Sequence, residues 1–433
     1  MSTIRTVSLV PSEIHDHVID QLHSDLPSLS MCSLVCKQWL MRARYLSLSD
    51  REALFFVSSE TLDSFDQKRA TDRLIELLNS PHSTIAPFIQ RLYLCGPDIS
   101  HEVPDVTGPQ DHYDLLNTLI INNFPLLLGT HSITISSLTW RCLQPEAKAA
   151  IGTLLHMNSI LWDSTVFHCL SELLAFSNTS YPTLEKLKIR QLRVTESDLS
   201  TGHACHVLAG QPNAFSRVRF LDVVVESVLH PLLSFPPSLF IRPQNMETLC
   251  LISVPEEDFT LVGSFIEAAG STLRHLALDV RKSTADPISE NSAFSISLNR
   301  NTNLETLEIS PIVVLPGRPC ETSWLQAIIS SLTSPSLKNV TVWFQMTPGP
   351  IDPFDFWSFE QSLLRAQLAG VPALERVRVK FIHTAWWEED DRRRLEEDVN
   401  RLLPELRARG MLDLCVLDPP PGDEFDEWAP NNW

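Results

Sequence analysis

Positive charge is scarce in this chain of 433 residues. Its 34 Lys and Arg stand against 53 Asp and Glu, which gives a formal net charge of -19. Such a balance repels a phosphate backbone, because nucleic-acid binding draws much of its affinity from cationic side chains that contact phosphates. It equally disfavours docking on an anionic membrane surface. We therefore expect no nucleic-acid partner and no membrane partner.

Long uninterrupted apolar segments are also missing. The apolar run at 115–128 is broken by three asparagines and one proline, and no segment near Met1 has the basic-then-apolar pattern of a signal peptide. The nine cysteines are scattered singly, apart from Cys32 and Cys36. This distribution fits reduced thiols better than a disulfide framework. These absences predict a soluble, intracellular protein of the cytoplasm, the nucleus or both.

The common signatures of catalysis are absent from the sequence. There is no Gly-x-x-x-x-Gly-Lys-Ser/Thr loop, no Gly-x-Ser-x-Gly elbow, no His-Glu-x-x-His and no paired Cys-x-x-Cys. The neighbours His203, Cys205 and His206 could hold a metal ion, but no fourth ligand is evident. We therefore expect no enzymatic activity, no cofactor and no metal, and we interpret Cys32 and Cys36 as core residues.

The stretch between Val10 and Tyr45 is the most informative about function. Pro11 suits the first turn of a helix because it has no N–H to leave unpaired. Apolar residues then recur at helical spacing at Ile14, Val18, Ile19 and Leu22. A second apolar set is too broad for one stripe and comprises Cys32, Leu34, Val35, Cys36, Trp39 and Leu40. A unit of about forty residues cannot bury all these side chains by itself, so they need the rest of the chain or a partner.

This pattern, Val-Pro-x-Glu-Ile, an apolar helix, a second helix and Leu-Val-Cys-x-x-Trp, resembles the F-box family over roughly residues 8–48. The resemblance implies a three-helix module that binds a Skp-type adaptor and, through it, a cullin. It also implies that certain apolar residues pack within the module or bind the adaptor, namely Val10, Pro11, Ile14, Val18, Ile19, Leu22, Leu34, Val35 and Trp39. The alternative is an ordinary helical hairpin that caps a larger domain.

From about residue 88 one pattern recurs. The segments 182–189, 335–342 and 372–379 all read Pro-x-Leu, a charged residue, then x-apolar-x-apolar. Looser copies begin at Ile89, Phe215, Met246, Leu273 and Leu304. From residue 184 onward the copies are spaced by roughly 27 to 37 residues, and such a period indicates a solenoid. Each copy ends as a half-buried strand, and the intervening segments carry helical spacing.

The recurring strand and helix resemble irregular leucine-rich repeats of many fungal F-box proteins, over roughly residues 88–417. The resemblance implies a curved parallel sheet backed by helices. The Asn or Cys that usually follows the strand in that family is replaced here by Leu192, Val223, Val254, Arg281, Ile312, Gln345 and Ile382. The alternative is a two-layer α/β domain whose parallel strands happen to look alike.

The predicted fold class is therefore α/β, in four parts. An F-box at 8–48 is followed by a helical connector at 49–87, a strand–helix solenoid at 88–417 and an acidic tail at 418–433. The tail has no apolar period, which predicts disorder.

Outward-facing strand residues of a solenoid are candidates to contact a target protein. Here they include Lys188, Arg190, Arg219, Trp343, Arg378 and Lys380. An aromatic segment, Phe354 to Phe359, either joins this face or forms a buried plug.

Together these features predict the substrate-recognition subunit of a Skp-cullin-F-box ubiquitin ligase. Such a subunit acts by proximity, because it holds an unidentified target protein near the conjugating enzyme and forms no bond itself. A repeat scaffold without a ligase role is one alternative. A divergent α/β hydrolase is another, and it requires a nucleophile, a base and an acid in one pocket.

Overall fold

The computed structural model describes residues 12–49, 52–56, 64–80, 85–97, 110–154, 156–169, 172, 183–194, 217–224, 242–255, 258–280, 296–314, 323–346, 354–383 and 389–417. The chain divides into two compact units, Met1–Leu184 with Leu192–Glu196, and Glu185–Gln191 with Ser197–Trp433. Several sequence-based predictions lie outside the described residues: those for Val10, Pro11, His203, Cys205, His206 and the tail at 418–433.

Three helices come first in the first unit: α1 Ser12–Asp20, α2 Leu26–Cys32 and α3 Lys37–Ser49. Helix α2 begins at Leu26, and the Asp25 carboxylate accepts the N–H of Ser28 at 3.2 Å as an N-cap. Helices α1 and α3 are joined by Arg42, whose Nε and Nη2 donate to the two carboxylate oxygens of Asp20 at 2.6 and 2.7 Å. The hydrogen bond from Arg42 holds the pKa of Asp20 below its usual value.

The rest of the first unit alternates strands and helices. In chain order these are β1 Glu52–Phe56, α4 Ser64–Asn79, β2 Arg91–Cys95, α5 Gln110–Asn123, β3 Ser132–Ser136, α6 Pro145–Gly152 and β4 Ser159–Asp163. Successive strands from β1 to β4 pair in parallel. A short parallel pair joins β5, Val166–Phe167, to β7, Arg193–Val194.

The segment predicted as a helical connector at 49–87 therefore contains a strand as well as a helix. Strand β1 pairs with β2 from Glu52 opposite Arg91 to Phe56 opposite Cys95. Phe55 is fully buried, with its ring 5.5 Å from that of Phe124. An apolar run this short shows no period of its own, so only its pairing with β2 identifies it as a strand.

The second unit continues the alternation. Its elements are β6 Lys186–Arg190, β8 Phe220–Val224, β9 Thr248–Val254, α7 Phe259–Ala269, β10 His275–Val280, β11 Thr306–Val314, α8 Ser323–Ser330, β12 Asn339–Met346, α9 Phe356–Ala369, β13 Arg376–His383, α10 Glu389–Leu402, α11 Pro404–Ala408 and β14 Leu412–Leu417. Neighbouring strands pair in parallel in the order β6-β8-β9-β10-β11-β12-β13-β14. The predicted α/β class with a parallel sheet is confirmed.

A buried residue two positions before the strand marks the repeat at β2–β4, β6 and β8–β13. Before β6 and β8–β13 these residues are Leu184, Val218, Met246, Leu273, Leu304, Leu337 and Leu374; of these, Leu184 belongs to the first unit. The first unit has Ile89, Thr130 and Met157 in the same place. The copy predicted to begin at Phe215 is thus displaced by three residues, because Phe215-x-x-Val218 imitates the apolar spacing of Val218-x-x-Leu221.

Buried polar side chains satisfy backbone groups between successive repeats. Asn301 is fully buried, and its Nδ2 donates to the carbonyls of Ile266 and Gly270, at 3.0 Å in each case. The Ser334 hydroxyl lies 2.8 Å from the carbonyls of both Thr302 and Leu304. These bonds pair carbonyls that would otherwise be buried without a partner, which is costly.

The aromatic segment before and within α9 is a buried plug. Phe354, Phe356 and Phe359 are buried, and the rings of Phe354 and Phe356 lie 4.6 and 5.5 Å from that of Phe344. Among its aromatic residues, only Trp357 is exposed, by 64%.

Among the helices that the structure describes, none combines the length and the apolar composition that a membrane crossing demands.

Candidate protein-binding surfaces

The three N-terminal helices have a very small core. Ile19, Leu29 and Ala43 are fully buried, and Leu22, Cys32, Trp39 and Leu46 pack against them partly buried. Of the residues that the F-box resemblance singles out, Ile19, Leu22 and Trp39 thus belong to the inside of the helical unit. Trp39 also contacts the His15 ring edge-on, with centroids 5.7 Å apart.

The other described members of that set lie on the outside. Ile14 and Val18 are each 52% exposed, while Leu34 and Val35 are 78% and 62% exposed. Ile14 and Val18 are one helical turn apart on α1, and Leu34 and Val35 occupy the link between α2 and α3. We call the exposed apolar residues of this region the apolar patch: Ile14, Val18, Met31, Leu34, Val35, Met41 and Tyr45.

The apolar patch concentrates many exposed apolar side chains on three short helices. It holds seven of the fourteen large apolar side chains that are exposed in the described part of the chain. Cys36 is exposed as well, so its assignment to the core was wrong, and Cys32 is only partly buried. Scattered exposed apolar residues are normal, whereas a group of this kind on one small unit indicates a protein-binding surface.

A row of mainly polar residues, interrupted by Cys250 and Ala277, crosses the sheet of the second unit on one face, which we call the polar face. Strand pairing sets them side by side in the order Lys188, Asp222, Cys250, Ala277, Glu308, Thr341, Arg378 and Asp413. The residues that flank each of them along a strand are apolar, and most of these are fully buried. The period of two therefore places one charged row on this face.

The basic residues at one end of the row are paired with acid. Lys188 Nζ and Arg190 Nη2 lie 3.7 and 3.9 Å from the same Asp222 oxygen. Burial raises the pKa of Asp222, and the two cations oppose that rise. Lys188 and Arg190, both predicted target contacts, therefore already neutralise a carboxylate that is 3% exposed.

A compact cluster occupies the other end. The Trp343 Nε1–H donates to the carboxylate of Glu308, and Lys380 Nζ stands 3.8 Å from the centroid of the Trp343 ring. Burial raises the pKa of Glu308 and lowers that of Lys380. Arg378 Nε donates to Asp413 at 2.8 Å. The structure thus gathers the predicted contacts Trp343, Lys380 and Arg378 near acidic partners.

One carboxylate on this face, that of Asp279, is matched by no cation among the residues that the structure describes. Asp279 accepts a backbone hydrogen bond at Ser253, and burial raises its pKa to about 7. Its Oδ1 is buried without a hydrogen-bond partner.

Among the described residues, no group of three or more His, Cys, Asp or Glu side chains is placed to hold a metal ion.

The amino-terminal edge of the same sheet carries a feature that sequence reasoning missed. The residue just before each of the strands β6 and β8–β13 is charged, and its sign alternates from repeat to repeat in the order Glu185, Arg219, Glu247, Arg274, Glu305, Lys338 and Glu375. We call this the charge ladder. Each ladder carbonyl except the last accepts two N–H groups of the next repeat, as Glu247 does from Arg274 and His275 at 2.8 and 3.0 Å.

Ion pairs form between neighbours of the charge ladder. Arg219 Nη1 lies 3.3 Å from Glu247 Oε1, and Arg274 Nη1 lies 3.4 Å from Glu305 Oε1. Arg219 was predicted to lie on a strand and to face a target there. It precedes β8 instead and belongs to the charge ladder, because the repeat is displaced at this point.

Comparisons with known proteins add little to this description. No protein-family model matches the chain, and no curated protein does. A leucine-rich-repeat protein of Leptospira interrogans, known from a solved structure, aligns with 83% of this chain and 100% of its own, at 12% identity and a TM-score of 0.24. At that score the similarity supports no argument about fold or function. The repeat architecture therefore rests on the parallel strand pairing and on the buried residues two positions before the strands.

Proposed function

We propose that this chain is the substrate-recognition subunit of a Skp-cullin-F-box ubiquitin ligase. It would bind a Skp-type adaptor through α1–α3 and a target protein through the parallel sheet of the second unit. Its role would be to raise the effective concentration of the target near the conjugating enzyme, and no bond would be formed by its own side chains.

The apolar patch is the observation that carries the proposal. Ile14, Val18, Leu34 and Val35 are exposed, and they are residues for which the F-box resemblance implies an adaptor contact. Burying one such side chain fully yields about 1.5–3 kcal/mol. A partner that covers the patch would therefore gain substantial free energy, while the small internal core of Ile19, Leu29 and Ala43 gives the helices a fixed arrangement.

The target side of the proposal is supported by the polar face. Its charged residues are already partly paired, so a target would be selected by the alternation of acid and base along the row rather than by a uniform positive patch. At one end the Trp343 ring lies beneath Lys380 with 7% of the residue exposed, so the partly exposed Arg378 and Lys380 are the groups that a target could reach there. Of these two residue types, arginine is the one that interfaces favour.

Co-purification of the full chain with a Skp-type adaptor tests the adaptor role. The informative variant is Leu34→Glu with Val35→Glu, because both side chains are exposed and their change leaves the helical core intact. Leu368→Glu is the matched control, since Leu368 is 82% exposed on α9. We expect the wild type and the control to retain the adaptor and the double variant to lose it.

The outcome decides between the two protein-binding functions. If the folded wild type does not retain the adaptor, the ligase role is wrong and a repeat scaffold without a ligase becomes the better interpretation. If the double variant retains it as well as the wild type, the apolar patch is not the contact surface. An unchanged urea midpoint in both variants ensures that binding rather than folding is compared.

A further inference from the structure

A polar cavity of about 610 Å³ lies along the charge ladder within the second unit. Its ten lining side chains are all charged or carry an amide or a hydroxyl group. The charged ones are Glu185, Arg217, Arg219, Glu247 and Arg274. The aliphatic portions of these side chains also line the cavity, but each of the ten presents a polar group, which favours ligands rich in charge and hydrogen-bonding groups.

Within the described part of the chain, two of the five charged residues form no ion pair. Arg219 is held by Glu247 at 3.3 Å, and Arg274 by Glu305 at 3.4 Å. In the described part of the chain, Arg217 and Glu185 take part in no such pair, with each other or with a third residue. Both side chains are exposed. The cavity thus presents one available cation and one available anion that do not neutralise each other.

We propose that this cavity binds a peptide segment that carries an acidic side chain next to a basic one, with the acid on Arg217 and the base on Glu185. A purely anionic ligand would meet Glu185 and Glu247, and a purely cationic one would meet three arginines. Only a ligand with both signs satisfies both available groups, and charge-assisted hydrogen bonds are the stronger kind.

The cavity deepens the proposed function, because it supplies a second contact for the target protein. The assignment of the peptide to a target protein rests on the proposed function. The binding of the peptide to the cavity, however, involves no adaptor. It also differs from the polar face, since its residues precede the strands, whereas those of the polar face lie within them.

The test titrates the purified full chain with fluorescently labelled Gly/Ser peptides at low ionic strength, where exposed charges are least screened. One peptide carries Glu-Lys pairs, one carries Glu alone and one carries Lys alone. We expect saturable binding of the Glu-Lys peptide. Arg217→Gln and Glu185→Gln should each weaken it about threefold, which corresponds to about 0.7 kcal/mol, as expected for the loss of one exposed ion pair. Lys338→Gln, a change on the same ladder outside the cavity, should leave the affinity unchanged.

Three results would overturn the proposal: no saturable binding of the Glu-Lys peptide, equal binding of a peptide with one sign of charge, or equal loss in the Lys338→Gln control. The titration contains no adaptor, so a failure of adaptor binding leaves its result unaffected. Conversely, a chain that retains the adaptor but ignores all three peptides keeps the ligase role and loses only this site.

Discussion

Reversing one charge of the charge ladder should destabilise the second unit by a predictable, salt-dependent amount. Glu247 stands between Arg219 and Arg274, on strands spaced by about 4.8 Å. Its carboxylate lies 3.3 Å from Arg219 Nη1, and the two side chains are 46% and 60% exposed. An exposed pair of this kind contributes about 0.2–1 kcal/mol. Glu247→Arg removes that attraction and adds repulsion from both neighbours, so we expect a loss of about 1–2 kcal/mol at low salt.

The assay is urea unfolding of the full chain at low and at high salt, read as the shift in the midpoint of the transition. Glu247→Gln separates lost attraction from new repulsion, and it should cost about half as much. Glu267→Arg is the matched control outside the ladder, because Glu267 has one cationic partner, Arg300, at 2.9 Å. At low salt, Glu247→Arg should lower the urea midpoint more than Glu267→Arg does. The two losses should become similar when the Debye length falls towards about 3 Å in molar salt.

Equal midpoints for Glu247→Arg and Glu247→Gln at low salt would refute this reasoning, because alternation of sign would then have no energetic effect. A loss that persists undiminished at high salt would point to packing instead of charge.

Three further changes test other parts of the structure. Burial raises the pKa of Asp279 to about 7 from its ordinary value of 3.8. The folded state therefore binds the proton more tightly, so stability should fall as pH rises from about 4 to about 7, and the urea midpoints of Asp279→Asn should lack that slope. Phe344 is fully buried against Phe354 and Phe381, with centroids 4.6 and 5.3 Å away, so Phe344→Ala should cost about 3–5 kcal/mol in chemical denaturation. Arg378→Glu with Lys380→Glu should weaken capture of an identified target in a pull-down, and unchanged capture would exclude the polar face.

Apolar periodicity was enough to predict the repeat but not its position everywhere. The segments 335–342 and 372–379 run into β12 and β13, as the pattern predicts. Their Pro-x-Leu before an alternating apolar run allows only one alignment with the repeat. Around Val218 two frames fit the apolar pattern equally, and only the hydrogen bonds of Arg219 and Phe220 to the Glu185 carbonyl, at 2.9 and 3.0 Å, select the true one. Apolar spacing alone carries no information on that choice.

The charge ladder is visible in the sequence as a recurring charged position, which an analysis of apolar residues alone does not detect. The fourth residue of the three strongest copies is Glu185, Lys338 and Glu375, so a charged position was visible. Its alternation appears only when the weaker copies are aligned in the correct frame, which brings Arg219, between Glu185 and Glu247, into the series. A shift of three residues at one repeat concealed the regularity of the whole edge.

The N-terminal helices show most clearly what sequence leaves undecided and structure supplies. Apolar spacing on α1 groups Ile14, Val18 and Ile19, yet it does not say which side the rest of the chain covers. In the structure Ile19 is fully buried while Ile14 and Val18 are each 52% exposed. A change at Ile19 or Trp39 would therefore damage the fold and lose any partner indirectly. A change at Leu34 and Val35 alters only the exposed side, so loss of the adaptor in that variant would report on binding itself.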